Sequence, residues 1–380
     1  MDALRPETLH KLEQNDPSVT KITLGHQWNG INADHFTRLG VAIATNSHLK
    51  ELEADVYRSA LKDTEIDFFD GIKQNSSIYS LKLICGSRNI VGSAAHEILK
   101  AYHENNNLLN HFTIEHAGLQ NGGNLVVSNT LRRCKKLRLI NLSCDITDEL
   151  LLPIVESVRG HTFISDLYLG RNRIGNVGGE AIATLLREPN NNYQYLDFSY
   201  NQIGDDGAVA IANSLANNTK LKCIYLPNNS LSQKVMDIFS KVLCDKSSIN
   251  ATYSSNHTLI DLAFSFRLKP RLFALLILNQ GTNKSHVAIK KILQYHPNID
   301  MEPLFELDEG RERTLKGLPL IIDWFERAKE AVVNDSGSYD YQVEKKKLSA
   351  IYQFAQAMPE LFIPTEHIKG RDTKRKRADR

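Results

Sequence analysis

The pattern that most constrains this chain is a short sentence that begins three times between Ile164 and Leu231. Each copy opens with an apolar residue, skips two positions, places a second, skips one, and places a third. It then gives Asn two residues ahead of another apolar side chain. The first copy uses Ile164, Leu167, Leu169, Asn172 and Ile174. The second uses Tyr193, Leu196, Phe198, Asn201 and Ile203, and the third Leu221, Ile224, Leu226, Asn229 and Leu231. The starts are 29 and 28 residues apart. A fixed period of this length means that the same supersecondary unit is stacked again and again. The core of such a chain is a rod extended unit by unit, so length alone does not set the number of domains.

The template can be slid in both directions. Openings fall at Val19, Leu49, Ile78, Leu109, Leu137, Ile164, Tyr193, Leu221 and Ile249, at steps of 30, 29, 31, 28, 27, 29, 28 and 28. The early copies lack the clean Asn, and the last has Thr252 and Ser254 at core positions, as expected of a half-formed terminal unit. Between openings, apolar residues recur at helical spacing, as in Ala208, Ile211, Ala212 and Leu215. Asp205 stands where the N-cap of that helix belongs. Further helices are expected over 36–45, 66–74, 94–103, 125–133, 149–158, 179–187 and 235–243. A strand and a helix in every unit require parallel strands joined by right-handed crossovers.

This stretch resembles the leucine-rich repeats of the ribonuclease-inhibitor subtype, which have long repeats of about this period. The resemblance implies an α/β right-handed solenoid, a horseshoe with parallel strands on the concave face and helices on the convex face. Packing leads to the same shape. Strands sit ~4.8 Å apart while helix axes need ~10 Å, so the array bends toward its strands. The resemblance also assigns Asn172, Asn201 and Asn229 to a buried ladder that bonds the backbone of adjoining turns. A bend inside a solenoid leaves inward-facing N–H and C=O groups that need partners, so the physics agrees.

Residues 1–18 are expected to cap the first layer of an array spanning 19–255. A helical module over 256–363 follows, with helices at 259–268, 271–279, 287–294, 318–333 and 344–358. Residues 364–380 form a basic tail with too little apolar content to order. Lys374, Arg375, Lys376 and Arg377 cluster there, as in a nuclear import signal or a polyanion contact. Net charge is +2, and residues 369–380 carry seven basic and two acidic groups, so the remainder is near −3 (2 − 5). That balance argues against a nucleic-acid-binding body.

No metal-ligand spacing, nucleophile motif or phosphate loop stands out, so the expectation is no catalysis, no cofactor, no metal and no small-molecule substrate. The pieces at 175–179 and 204–208 are Gly-rich, but they recur with the period, and Asp205 and Asp206 would repel an anion. Five Cys without CxxC pairing, and an N-terminus with early acids, point to the cytoplasm, with the nucleus as alternative. No apolar run is long enough for a membrane span.

Function is then sought between the core positions, where strand side chains alternate outward. Glu51, Glu53 and Asp55 form one acidic group. Asp166, Tyr168, Tyr195, Asp197, Tyr225 and Tyr253 form a second, richer in tyrosine, a residue enriched in the cores of protein interfaces. The expectation is a protein-binding scaffold whose partner sits on the concave face. The alternatives are a Ran-directed GTPase-activating regulator, which this repeat subtype resembles, and weak nucleic-acid binding through the tail.

Overall fold

The computed structural model describes residues 6–25, 33–56, 66–91, 93–105 and 108–296. The expected helices at 318–333 and 344–358 and the basic cluster at 374–377 lie outside them. Strands and helices alternate: α1 (Pro6–Glu13), β1 (Lys21–Leu24), α2 (Ala33–Thr45), β2 (Glu51–Asp55), α3 (Ile66–Gln74), β3 (Ser80–Asn89), α4 (Ala94–Asn105), β4 (His111–Gly118), α5 (Gly123–Arg133), β5 (Leu139–Ser143), α6 (Asp148–Val158), β6 (Asp166–Tyr168), α7 (Asn176–Arg187), β7 (Tyr195–Asp197), α8 (Asp205–Ser214), β8 (Cys223–Tyr225), α9 (Val235–Leu243), α10 (Ile249–Tyr253), β9 (Asp261–Ala263), α11 (Pro270–Asn279) and α12 (Lys284–Tyr295). The nine strands form one parallel sheet in sequence order, the α/β solenoid expected of the repeat.

Each of the first eight strands starts two residues after its opening residue, and all nine starts pair in register. Lys21, Glu51, Ser80, His111, Leu139, Asp166, Tyr195, Cys223 and Asp261 form a single row across the sheet. The next residue of each strand, from Ile22 and Leu52 through Leu196, Ile224 and Leu262, is buried. Because strand side chains alternate, this apolar row fixes which residues face solvent.

The ninth unit departs from the expected register. Ile249–Tyr253 is a helix whose N-cap Ser248 accepts from the Ala251 amide at 3.0 Å. The strand forms instead at Asp261–Ala263, within the segment expected to be a helix over 259–268. Thr252 and Ser254 could not fill the apolar layer, whereas Leu259, Leu262 and Phe264 repeat the template and are buried. The step from Leu221 to Leu259 is 38 residues, ten longer than the 28 before it. The chain divides accordingly into two units, Met1–Leu243 with Ser255–Gln280, and Cys244–Ser254 with Gly281–Arg380. In the second, α10 packs on α12. There the Thr252 hydroxyl donates to the Asp245 carbonyl at 2.6 Å and lies 2.7 Å from His296 Nε2.

Two sets of Asn hydrogen bonds hold the repeat unit. At the bend after the strand, Asn172 Oδ1 accepts from the Cys144 and Ile146 amides at 2.9 Å, and its Nδ2 donates to the Leu142 and Leu169 carbonyls at 2.7 and 2.9 Å. Asn201 accepts from Ile174 N at 2.9 Å and donates to Leu169 and Phe198 at 2.8 and 3.0 Å. Asn229 accepts from Ile203 N and donates to Phe198 and Leu226. The residue before each of these Asn has a positive φ (Arg171, Tyr200, Asn228), so the chain turns sharply where the amide side chain fills in.

The second set lies at the opposite bend, three residues before the opening. Asn46, Asn75, Asn218 and Asn256 accept from the amides of Leu49, Ile78, Leu221 and Leu259 at 2.7, 2.9, 2.8 and 2.9 Å. Their Nδ2 groups donate to carbonyls of the preceding unit, as Asn75 does to Ile43 and Asn46 at 2.7 and 2.9 Å. Nothing in the template of the first ladder announces this one.

Helix starts are also shared between units. Asp205 is the first helical residue rather than the N-cap, which is Gly204. Its carboxylate accepts from Ser232 N and Oγ of the next unit at 2.8 and 2.6 Å. In the same manner Asp148 accepts from Gly175 N at 2.7 Å, and Asn176 from Gly204 and Gly207 N at 2.8 and 3.1 Å. Each side chain at a helix start therefore caps the following helix, where a negative end is favoured. A Cβ on Gly175 would stand 3.0 Å from Asp148 Oδ2, and one on Gly204 3.1 Å from Asn176 Oδ1, so a larger residue at either place would crowd the cap.

Replacing Asn201 by Leu leaves the buried Ile174 amide without its partner and removes one of the two Asn donors from each of the Leu169 and Phe198 carbonyls, which keep Asn172 and Asn229. At ~1–3 kcal/mol for the unsatisfied buried amide and ~0.5–1.5 kcal/mol for each of the two lost bonds, the expected loss is ~2–5 kcal/mol. Urea denaturation followed by circular dichroism reads it, and an unchanged midpoint would refute the ladder's role. His161 gives a second expectation. It occupies the second-ladder position ahead of Ile164, is buried, lies 3.2 Å from Lys135 Nζ, and leaves Nδ1 without a hydrogen-bond partner. Burial first, and Lys135 second, lower its pKa from 6.5 to about 4. The unfolded chain then binds this proton before the folded one, so stability falls as pH drops from 6.5 through about 4. Melts across that range are expected to show a shallower fall for His161→Asn than for the unaltered chain.

Candidate functional site

The outward rows of the sheet carry two clusters of opposite design. The first covers β1 to β4. Lys21 pairs with Glu53 at 2.9 Å and approaches Glu51 at 3.9 Å. Lys82 lies 3.7 Å from Glu53 and 3.4 Å from Glu115. The two lysines stand on the strands either side of β2 because the register places Lys21 beside Glu51, and Lys82 beside Glu53. Glu51 and Glu53 of the expected acidic group therefore belong to an alternating charge row. The Lys21 ammonium is held above its usual pKa mainly by its bond to Glu53. Exposed pairs of this kind contribute ~0–1 kcal/mol each to stability. Asp55 ends the strand beside Ile84, on the same face.

The second cluster covers β6 to β9. Asp166 pairs in register with Tyr195, and Tyr168 with Asp197, so tyrosines and carboxylates occupy opposite diagonals of a four-residue square. On the next strand Cys223 adjoins Tyr195, and Tyr225 adjoins Asp197. The three tyrosine rings form a continuous row. Tyr168 and Tyr195 have centroids 5.0 Å apart with planes at 37°, and Tyr195 and Tyr225 are 5.2 Å apart at 39°. Register makes the tyrosines diagonal neighbours, ~7–8 Å apart at the backbone, and their long side chains lean toward one another to reach these separations. Such contacts are worth ~0.5–1.5 kcal/mol a pair beyond area burial.

The carboxylates in this cluster are held by neutral donors. Asp166 accepts from the Ser165 hydroxyl at 2.5 Å, and Asp197 from Ser199 N and Oγ at 2.8 and 2.5 Å. Tyr225 Oη donates to the carboxylate of Asp261, one strand further on. That bond first, and burial second, raise the Tyr225 pKa well above the ordinary phenol value. Burial chiefly raises Tyr168 and Tyr195, helped by Asp166 and Asp197 beside Tyr168 and by Asp197 beside Tyr195. The Cys223 thiol is likewise pushed up by burial and by Asp261, so it stays protonated and is a poor nucleophile. At the bend beyond the strands, Arg171 lies over the exposed Tyr200 ring, 5.3 Å from its centroid.

Tyr253 does not join this row. It lies on α10, in the unit formed by Cys244–Ser254 and Gly281–Arg380. The sheet positions expected to hold Ala251 and Tyr253 are filled by Asp261 and Ala263. Asp261 was missed because the ninth strand was set ten residues early. Asn256 ahead of Leu259, matching Asn218 ahead of Leu221, was the signal that could have found it. Among the described residues no group of three or more His, Cys, Asp or Glu could hold a metal ion. No helix among them is long and apolar enough to cross a membrane.

A family model for the leucine-rich repeat matches residues 160–183 and 190–212, which hold most of α7 and of α8 with the strands before them. The chain folds as an α/β leucine-rich-repeat solenoid. The nine in-register strands extend the repeat beyond the matched residues in both directions. No curated protein matches the chain. Among solved structures it is similar to one described as Leiomodin-1 Actin-Binding Site 2 (ABS2), at 21% identity, covering 44% of this chain and 90% of that one, with a TM-score of 0.32.

The tyrosine row of this repeat protein has a spectroscopic consequence. Phenolate formation monitored near 295 nm is expected to show a late phase above pH 10 from Tyr168, Tyr195 and Tyr225, together with the buried Tyr102 and Tyr193. Tyr225→Phe removes one member of that phase. Amplitude lost instead from the ordinary phase near pH 10 would show that the Asp261 bond is absent in solution.

Proposed function

We propose that this protein is a non-enzymatic interaction scaffold of the ribonuclease-inhibitor subtype, and that it holds a protein partner on the sheet face around Asp166, Tyr168, Tyr195, Asp197 and Tyr225. A period near 28 residues with a full helix in each unit supports the subtype. The observation that carries the binding reading is the contiguous tyrosine row on the outward face of β6, β7 and β8. Tyrosine supplies large, stiff contact area at small entropic cost, with a polar tip for hydrogen bonding. A rigid parallel sheet fixes these side chains before the partner arrives, which lowers the cost of association. Glu51, Glu53 and Asp55 would contribute a rim, since Lys21 engages Glu51 and Glu53 and Lys82 engages Glu53.

The double change Tyr195→Ala and Tyr225→Ala tests the reading. It removes the stack, worth ~1–3 kcal/mol, so the melt is expected to fall by a few degrees while the fold persists. Quantitative affinity purification is expected to lose a defined set of partners relative to the unaltered chain. A control on the helix side, Val177→Ala on exposed Val177, is expected to lose none. Recovery of the same partners from the double variant would refute the site.

A further inference from the structure

We infer that the segment of the partner that meets the tyrosine row is cationic, an extended stretch bearing Arg or Lys side chains. This rests on the docking reading above and gives it a chemistry. The two halves of the same sheet face treat their carboxylates differently. On β1 to β4, Lys21 and Lys82 stand between Glu51, Glu53 and Glu115 and form ion pairs with them within the sheet. On β6 to β9 the two outward rows contain Asp166, Tyr168, Tyr195, Asp197, Cys223, Tyr225, Asp261 and Ala263. Three carboxylates lie among these eight positions and no basic residue does. Their bonding partners are hydroxyls and an amide, from Ser165, Ser199 and Tyr225, which satisfy lone pairs and leave the negative charge in place.

The raised phenol pKa values of Tyr168 and Tyr195 report the same surroundings, because burial and neighbouring carboxylates both oppose a further negative charge. Carboxylates interleaved with aromatic rings match the needs of a guanidinium or ammonium group. The carboxylate takes the charge and donors, and the ring packs against the alkyl stem or the guanidinium plane. An anionic or purely apolar partner would have to desolvate Asp166, Asp197 and Asp261 with nothing to replace the water. The spacing adds a further constraint. Carboxylates on β6, β7 and β9 recur across the strands, so the partner's charges are spread along the direction in which the repeats advance.

The experiment uses the full chain and fluorescein-labelled peptides, read by anisotropy at low and at physiological salt. The probes are an alternating Arg-Gly peptide, an alternating Glu-Gly peptide and a Ser-Gly peptide. The expected result is binding of the Arg-Gly probe alone, weakened about tenfold by Asp166→Asn with Asp197→Asn and unaffected by Glu149→Gln with Glu180→Gln, two exposed carboxylates on α6 and α7. Equal loss in both double variants, or no preference for the Arg-Gly probe, would overturn the inference. A photo-crosslinking residue at Asn141, beside Tyr168 on the same row, separates this from failure of the docking reading. Partner segments captured there without an excess of Arg and Lys sink the cationic inference alone. No capture above that of a crosslinker at exposed Glu180 on α7 sinks the docking site itself.

Discussion

The structure depends on keeping buried backbone groups hydrogen-bonded at two bends in each unit. A solenoid turns its chain sharply after every strand and again after every helix, and both turns face the interior. The amide side chains of Asn172, Asn201 and Asn229 serve the first bend, with Cys144 in the corresponding place one unit earlier, its thiol donating to the Ile114 carbonyl at 3.3 Å. Asn46, Asn75, Asn218 and Asn256 serve the second. An amide is suited to the task because one side chain both donates and accepts, so it bridges two units at once. His161 stands at the second position in one unit and cannot do the same while its Nδ1 goes without a partner.

These bonds run between neighbours, and so do the helix caps. Asp148, Asn176 and Asp205 each cap the unit that follows their own. The array is therefore a chain of nearest-neighbour couplings, in which a defect weakens two interfaces and leaves distant ones intact. The same logic keeps the strands in register. With Ile22, Leu52, Leu196 and Ile224 all facing the core, a slip of one residue would expose the whole apolar row.

That register makes a surface out of residues far apart in sequence. Tyr168 and Tyr225 are 57 positions apart in the chain, yet both pack on Tyr195. Lys21 meets Glu53, and Lys82 meets Glu115, by the same device. One half of the face is electrostatically closed by these pairs. The other keeps its carboxylates on neutral donors and is the half able to accept charge from outside.

The solenoid, the parallel strands, eight of the nine strand positions and the outward tyrosines were legible in the sequence, because each follows from a period and an alternation that local chemistry enforces. The ends of helices such as Ile66–Gln74 and Val235–Leu243 were legible for the same reason. The ninth strand was not, because a period carried forward cannot see a ten-residue insertion. The Leu259 template and Asn256 ahead of it carried the information, but only as a second, unrelated ladder. Pairings were beyond the sequence altogether. It determined that Glu51, Glu53, Asp166 and Asp197 face outward. Only the tertiary structure decided that lysines neutralise the first two while Ser165 and Ser199 leave the others charged, since that depends on which side chains adjacent strands bring within bonding distance.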